Sequence, residues 1–318
     1  MKKMLFSPLS GFFFLAGLVI FAGCGNNRGV EQNRDTPTSG HTRIEADDSY
    51  KLLMDAELYT FLSLYPEAKI DVSYKTEADV LNDFLKDSVR SIVVNRKLTK
   101  ENEDYLKSKQ IVARTNTVAY DAVALIVNKH NPDSNLFYDR IQDIFTGKIT
   151  SWKQLDAKSK TGNIAVVFDN YKSSNPRYFK EKFSLDKLPP SCYAVTNNEE
   201  VINFVESHPE ALGIISVNWI SDKADSVTQL FLHRVSVAGI SAPGTVDPNT
   251  SFYQPYQAYI KQGTYPFTRE VYCINRESYA GLGYGLTTFI AGPQGQLIVE
   301  HAGLLPATMP VRVVEIKH

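Results

Sequence analysis

Several common classes of protein are excluded by what this sequence of 318 residues lacks. Its three cysteines are too few for a disulfide scaffold, and their spacing does not match a zinc site. The six histidines are scattered without any H-x-x-x-H pair, so we expect no metal centre and no other cofactor. The formal net charge of -1 provides no basic field that would hold nucleic acid.

The apolar run at the amino terminus is too short for a comfortable bilayer span. Two lysines precede it, and its uninterrupted part covers only Phe12 to Ala22. A positive start, an apolar stretch and small residues before a cut site are typical of a secretory signal, which we predict over residues 1–23. Phe21-Ala22-Gly23-Cys24 resembles a bacterial lipobox with a Phe in the place of the usual Leu. We prefer lipidation of Cys24 to a plain membrane anchor or a cysteine placed by chance.

A polar segment separates this signal from a globular body. From Gly25 to about His41 almost nothing is apolar, and such a segment cannot offset its ordering entropy by burial. We therefore predict a flexible tether over residues 24–42. Overall, 43% hydrophobic and 22% charged residues are typical of a globular protein with ample core. The length suits two domains or one large domain.

Strand and helix patterns alternate along the body. Apolar residues recur at helical spacing from Tyr50 to Tyr65, and Pro66 ends that pattern. Ser91 to Val94 is typical of a strand. Ala122 to Val127 is a continuous apolar run, as expected for a strand buried on both faces. Repeated βα alternation predicts an α/β fold with largely parallel sheets.

One segment carries a family resemblance. Residues 121–155 read DAVALIVNKHNPDSNLFYDRIQDIFTGKITSWKQL. This run resembles the phosphate-binding proteins of bacterial ABC importers, the PstS-like family, in which an Asp precedes a buried strand, N-x-x-N-P follows, and a helix ends in I-F-x-G-K-I-x-x-W. The matching residues are Asn128, Asn131-Pro132, Ile144-Phe145, Gly147-Lys148-Ile149 and Trp152. Further segments match in the same order, so the resemblance covers about Ile44 to Leu305.

The resemblance implies a type II periplasmic binding protein fold, with two α/β lobes, a two-strand hinge and a ligand cleft between the lobes. Lobe one would comprise residues 43–125 plus 235–318, and lobe two residues 126–234. It also implies a receptor that delivers inorganic phosphate or a related oxyanion to the membrane subunits of an ABC permease. With the lipobox at Cys24, we expect this receptor to be lipid-anchored on the extracytoplasmic side of a bacterial membrane, in the periplasm. We expect no enzyme, since the sequence has neither a G-x-S-x-G elbow nor a metal-ligand cluster.

Two helix starts have the chemistry that a dehydrated oxyanion needs, which is a set of converging backbone N–H groups and hydroxyls. The first is Asp48-Ser49-Tyr50 and the second is Ser173-Ser174-Asn175. Pro176 suits the first helical position, so N–H groups beyond it are free to point at an anion. The alternative for both is plain helix capping. The resemblance favours ligand binding at the second start and leaves the two interpretations even at the first.

Three positions depart from the family pattern. Asp169 stands where the family usually has Arg, so the expected bidentate clamp is absent. Arg96, Lys172 or Arg177 are the candidates for the missing charge. The Gly-Ser-Gly turn that the family carries near Glu77 is also missing.

The third departure is Asn95, which falls where family members hold an Asp or Ser that contacts the ligand. An Asp acceptor distinguishes phosphate, which keeps a proton to donate, from sulfate. Asp121 is the alternative acceptor. The alternative function is therefore a PstS-like binding or sensor module with altered or lost oxyanion specificity.

The remaining candidates are interpreted as structural. Cys192 and Cys273 either form a disulfide after export or stay free and buried. The repeat of glycines at positions 281, 283 and 285 does not match G-x-G-x-x-G, so we prefer packing or a turn to a phosphate loop. Trp152 and Trp219 are expected in the core or on a lobe surface, and not as platforms for sugars.

Overall fold

The computed structural model describes residues 35–221 and 231–310. The predicted signal peptide, Cys24 and most of the predicted tether lie outside these residues. Within them, the helices lack the combination of length and apolar character that a membrane crossing needs. The first strand begins at Gly40, so the end of the segment 24–42 belongs to the folded body. The polar side chains of these residues give no strand signal in the sequence. Their backbone nevertheless pairs with the second strand, where His41 lies opposite Lys69.

The described residues form strands and helices in the alternating order that the sequence predicts. The strands are β1 (Gly40–Asp47), β2 (Ala68–Lys75), β3 (Ser91–Val94), β4 (Arg114–Asn128), β5 (Asn135–Leu136), β6 (Ala165–Phe168), β7 (Cys192–Ala194), β8 (Ala211–Ser216), β9 (Val235–Val237), β10 (Gly239–Ile240), β11 (Thr268–Asn275) and β12 (Leu305–Pro306). The helices are α1 (Lys51–Leu64), α2 (Glu77–Leu85), α3 (Lys100–Ser108), α4 (Tyr138–Phe145), α5 (Ser174–Lys182), α6 (Asn198–Ser207), α7 (Gln257–Gln262), α8 (Leu282–Ala291) and α9 (Pro293–His301).

A ten-stranded sheet runs through the described part of the chain, with the main order β2-β1-β3-β11-β4-β8-β6-β7. β1 is parallel to β2 and β3, and β6 is parallel to β7 and β8. β11 is antiparallel to β3 and β4, and β4 is antiparallel to β8. The predicted parallel pairing therefore holds towards the two ends of the sheet, and antiparallel strands join these ends in the middle.

β4 is the strand that passes from one half of the sheet to the other. Its part up to Ala122 pairs with β11, and its part from Val123 to Val127 pairs with β8. The run Ala122 to Val127 is fully buried, which confirms the prediction from its continuous apolar sequence. We call β1, β2 and β3 with helices α1, α2 and α3 the first half. We call β6, β7 and β8 with helices α5 and α6 the second half.

The lobe boundaries at 125/126 and 234/235 stay a prediction, and the strand pairing bears on the second of them. β9 (Val235–Val237) pairs with Ile126–Asn128 of β4, next to the strands of the second half. β10 pairs with β5, which also follows the crossing of β4. Residues 235–240 were expected in lobe one. Backbone pairing places these residues beside the second half in this structure.

Aromatic packing fixes the position of α5, whose start is one of the predicted site segments. Phe179 of α5 stacks on Phe145 of α4, with ring centroids 4.3 Å apart and an interplanar angle of 9°. Phe267, just before β11, packs edge-on against Phe179 at 5.2 Å. All three rings are fully buried or nearly so. Because stacked and edge-on rings of this kind stabilise one arrangement, the first residues of α5 are held rigidly at the end of β6.

The glycine-rich turn before α8 is a packing feature, as predicted. The Glu277 carboxylate accepts a hydrogen bond from the backbone N–H of Gly283 (3.2 Å), and the Asp35 carboxylate accepts one from Leu282. A Cβ at Gly283 would lie 2.0 Å from the Ser91 hydroxyl. The start of α8 is thus capped by carboxylates of the chain itself, and glycine is needed for close approach.

The cysteines and tryptophans are also structural. Cys192 and Cys273 are both free and buried, which decides between the two alternatives left open by the sequence. Burial raises the pKa of each thiol to about 12, so neither is a reactive thiolate at neutral pH. Trp152 and Trp219 lie in the hydrophobic core, as expected.

Candidate ligand-binding site

The first predicted helix start lies where β1 turns into α1. The Asp47 carboxylate accepts a hydrogen bond from the backbone N–H of Ser49 (3.0 Å) and so caps the turn. Ser49 and Tyr50 are fully buried. The Tyr50 hydroxyl donates to the Asp121 carboxylate (3.2 Å) at the point where β4 crosses between the halves. Asp47 therefore acts as the cap of this helix start, and the Ser49 hydroxyl faces the second half.

The second predicted helix start follows β6 and opens α5. The Asp169 carboxylate accepts hydrogen bonds from the Ser173 hydroxyl (2.7 Å) and the Asn175 side-chain amide (3.0 Å). Burial raises the pKa of Asp169 to about 7, although these two hydrogen bonds act in the opposite direction. The residue that departs from the family pattern is therefore a buried carboxyl that shapes the helix start and is partly protonated at neutral pH.

The two helix starts meet. The Ser49 hydroxyl lies 3.3 Å from the Ser174 hydroxyl, although the residues are 125 positions apart in the sequence. The Ser174 side chain therefore occupies the space between the two helix starts. An anion between these two hydroxyls therefore requires the halves to move apart from the arrangement in this structure.

Arg269 of β11 is the functional candidate that sequence reasoning missed. Its side chain donates to Asp121 (2.8 Å), to the Ser174 hydroxyl (3.3 Å) and to the Asn175 side-chain oxygen (2.9 Å). The Arg269 side chain is almost fully buried, and its Nη2 atom has no hydrogen-bond partner. Burial lowers the pKa of Arg269, but the surrounding groups, Asp121 among them, more than offset this and leave the pKa above its ordinary value. A permanent positive charge thus lies directly against the second helix start.

A second arginine joins the two halves. Arg177 of α5 donates to both oxygens of the Glu77 carboxylate on α2, at 2.5 and 3.1 Å, and also to the Asn95 side-chain oxygen. Burial raises the pKa of Glu77, and the charge of Arg177 acts against that rise. The Asn95 Nδ2 atom is buried without a hydrogen-bond partner. An ion pair between α5 and α2 therefore joins the two halves next to Asn95.

The other predicted site residues are placed less centrally. Arg96 is only half-buried. The Lys172 ammonium donates to the Asp79 carboxylate (3.3 Å) on the exposed side of the cleft. Asp121 accepts hydrogen bonds from Tyr50, Ser216 and Arg269, so its oxygens already have partners. Of the three candidates for the missing charge, only Arg177 contacts the centre of the site, and a carboxylate already pairs with it.

A cavity of about 290 Å³ remains between the halves, beside the two helix starts. Asp47, Asp48 and Asp79 line it from the first half, and Asp169 and Ser173 line it from the second. Lys75 also lines this cavity, but its ammonium pairs with the carboxylates of Glu45 (2.6 Å) and Asp83 (2.7 Å). The open part of the cleft therefore has a strongly acidic lining.

Comparison with known proteins identifies the family. The sequence profile described as the PBP superfamily domain matches residues 31–293. This chain belongs to the PBP superfamily. Phosphate-binding protein PstS of Bacillus subtilis (strain 168) is 26% identical over 227 residues, which cover 69% of this chain and 73% of that protein. Phosphate-binding protein PstS of Staphylococcus aureus (strain USA300) is 20% identical over 274 residues, covering 86% and 78%.

Solved structures agree on the fold. A Clostridium perfringens protein solved with bound phosphate superposes with a TM-score of 0.70 at 22% identity, covering 84% of this chain and 100% of that one. An ABC-type phosphate transport receptor from Vibrio cholerae gives a TM-score of 0.62 at 19% identity, with the same coverage. These similarities confirm the predicted two-lobed α/β fold. The ligand-binding roles of individual residues stay a prediction.

Proposed function

We propose that this chain is an extracytoplasmic solute-binding protein, and no enzyme, which takes inorganic phosphate or a related oxyanion for an ABC importer. The meeting of Ser49 and Ser174 is the observation that carries this proposal, because it brings two helix starts from opposite halves to one point. The relatives named as phosphate-binding proteins support phosphate as the anion.

Arg269 supplies the positive charge that the sequence lacks at position 169. Its guanidinium already touches Ser174 and Asn175, and one of its nitrogen atoms is buried without a partner. An anion that enters between the helix starts reaches this nitrogen together with the backbone N–H groups of α5. Ligand contacts to both halves then stabilise the closed arrangement of the lobes.

The second candidate function is a binding or sensor module with altered oxyanion specificity. The observation that favours it is the carboxyl group of Asp169 at the second helix start, where a carboxylate opposes a dianion. The Arg177–Glu77 ion pair favours it as well, because it closes the cleft without any ligand.

Isothermal titration of the full chain with phosphate, sulfate and molybdate separates the two functions. We expect heat with phosphate, and a loss of affinity of about tenfold in Ser49→Ala, since one hydrogen bond to a charged group contributes about 1.4 kcal/mol or more. Ser63→Ala is the matched control, because Ser63 lies near the far end of α1, which follows Ser49, and its hydroxyl bonds the exposed backbone oxygen of Tyr59. No heat with phosphate, together with heat from another anion, would establish the second function instead.

We also propose that Cys24 carries a lipid that anchors the chain to the membrane near its permease. The signal-like sequence before Cys24 supports this. Cells that express the chain and are fed labelled palmitate should label it, and Cys24→Ser should abolish the label. Cys192→Ser is the control and should keep it, because Cys192 is a buried thiol of the body. Label that persists in Cys24→Ser disproves the anchor.

A further inference from the structure

Two acceptors without a donor lie on or next to the lining of the acidic cavity between the halves. Asp47 lines it and is fully buried, and its Oδ2 atom has no hydrogen-bond partner. Asn198 is also fully buried: its amide nitrogen donates to Asp48 of the cavity lining (3.2 Å), and its Oδ1 atom has no partner. Burying an unpaired acceptor costs free energy. A group that brings several N–H donors into this cavity would remove that cost.

The site between the two helix starts, next to this cavity, has the reverse: buried donors that lack an acceptor. Arg269 Nη2 and Asn95 Nδ2 are both buried donors without an acceptor. Asp169 connects the two regions. It lines the acidic cavity and accepts a hydrogen bond from the Asn175 side-chain amide, and the side-chain oxygen of Asn175 accepts a hydrogen bond from Arg269. Unpaired donors thus lie on one side of Asp169, and unpaired acceptors lie on the other.

The charges follow the same division. Arg269 is positive and lies against the second helix start. The cavity beyond Asp169 is lined by Asp47, Asp48 and Asp79. Its one lysine is held by two carboxylates, and Asp79 pairs with Lys172, so Asp47 and Asp48 are the carboxylates that face a cation. Inorganic phosphate would neutralise the charge of Arg269, but it would bring no positive charge to the carboxylates of the cavity. An organic cation with several N–H donors would match the unpaired acceptor of Asp47 on the acidic side.

We propose that the ligand of this site is a small zwitterion, a phosphate monoester or phosphonate that also carries a primary ammonium group. Its oxyanion binds between the two helix starts and the guanidinium of Arg269. Its ammonium enters the acidic cavity and donates to Asp47 and its neighbours. This inference rests on the proposed oxyanion-binding function and specifies the class of substrate.

The test compares two ligands that differ only in the ammonium group. Phosphoethanolamine and ethyl phosphate are titrated into the full chain by calorimetry, with inorganic phosphate as a third ligand. We expect phosphoethanolamine to bind at least about tenfold more tightly than either of the others, as one charge-assisted hydrogen bond contributes about that factor. In Asp47→Asn, which keeps a capping residue at the start of α1, this preference should fall to within about threefold.

The outcomes separate this inference from the function on which it rests. If ethyl phosphate or phosphate binds as tightly as phosphoethanolamine, the ammonium site is disproved and the oxyanion function stands. If none of the three ligands binds, both proposals fail. Should Asp47→Asn not fold, Glu200→Gln and Asp48→Asn are compared instead: only Asp48→Asn lies on the cavity and should reduce the preference. An unchanged preference in Asp48→Asn then overturns the inference.

Discussion

Arg269→Ala is expected to lower the affinity for phosphate by at least about 100-fold and the free energy of unfolding by about 3 kcal/mol. Affinity falls because the guanidinium is the buried positive charge that contacts Ser174 and Asn175 at the second helix start. Stability falls because Asp121, fully buried, loses its ionic partner at 2.8 Å. Calorimetric titration measures the first effect, and denaturant unfolding measures the second.

Arg276→Ala is the matched control for this variant. Arg276 is likewise a buried arginine, directly after β11, but it donates to the backbone oxygen of Phe84, away from the helix starts. Its replacement should lower stability and leave phosphate affinity unchanged. If Arg269→Ala binds phosphate normally while Arg276→Ala behaves as expected, Arg269 only pairs with Asp121, and the anion's positive partner lies elsewhere.

Glu57→Gln is expected to stabilise the protein, and by more as the pH rises. Glu57 of α1 is fully buried, and both of its carboxyl oxygens lack a hydrogen-bond partner. Burial raises the pKa of Glu57 to about 9. Between its ordinary pKa in the unfolded chain and this value, the folded protein holds a proton that the unfolded chain has released. Stability therefore falls with rising pH across that window, and replacing the titrating group removes this loss.

Denaturant unfolding at pH 5 and pH 8 measures this effect. The advantage of Glu57→Gln over the unaltered chain should be larger at pH 8 by about 2 kcal/mol or more, because each pH unit within the window contributes up to about 1.4 kcal/mol. The control is Glu67→Gln, since Glu67 is exposed, and its effect should not differ between the two pH values. An advantage that is equal at both pH values would mean that Glu57 is ionised in the folded protein.

Secondary structure was predicted well because its signals are local. The run Ser91 to Val94 is a strand with those bounds, and the helix expected over Tyr50 to Tyr65 runs from Lys51 to Leu64. Apolar periodicity and capping residues act within a few positions of the chain. β1 was underestimated because the side chains of Gly40 to Thr42 carry no apolar signal, and only pairing with β2 makes that segment a strand.

The sequence indicated both helix starts but not the charge that lies beside them, and the ligand-binding roles of these residues stay a prediction. Ser49 and Ser174 were found because hydroxyl residues at a helix start form a local pattern, and the structure brings them together. Arg269 gave no such pattern. Only the antiparallel register of β11 on β4, which sets Arg269 opposite Asp121, directs it into the cleft. Arg177 was a candidate for the anion's partner, but Glu77, 100 residues away, pairs with it.

The sequence by itself determined the family, the alternating elements and the two helix starts that face the cleft, because each of these depends on residues close together in the chain. Tertiary structure alone decided which charges are free to meet a ligand. Charges act through space, so the pairing of Arg177 with Glu77, the unpaired nitrogen of Arg269 and the acidic cavity around Asp47 exist only once distant segments have packed together.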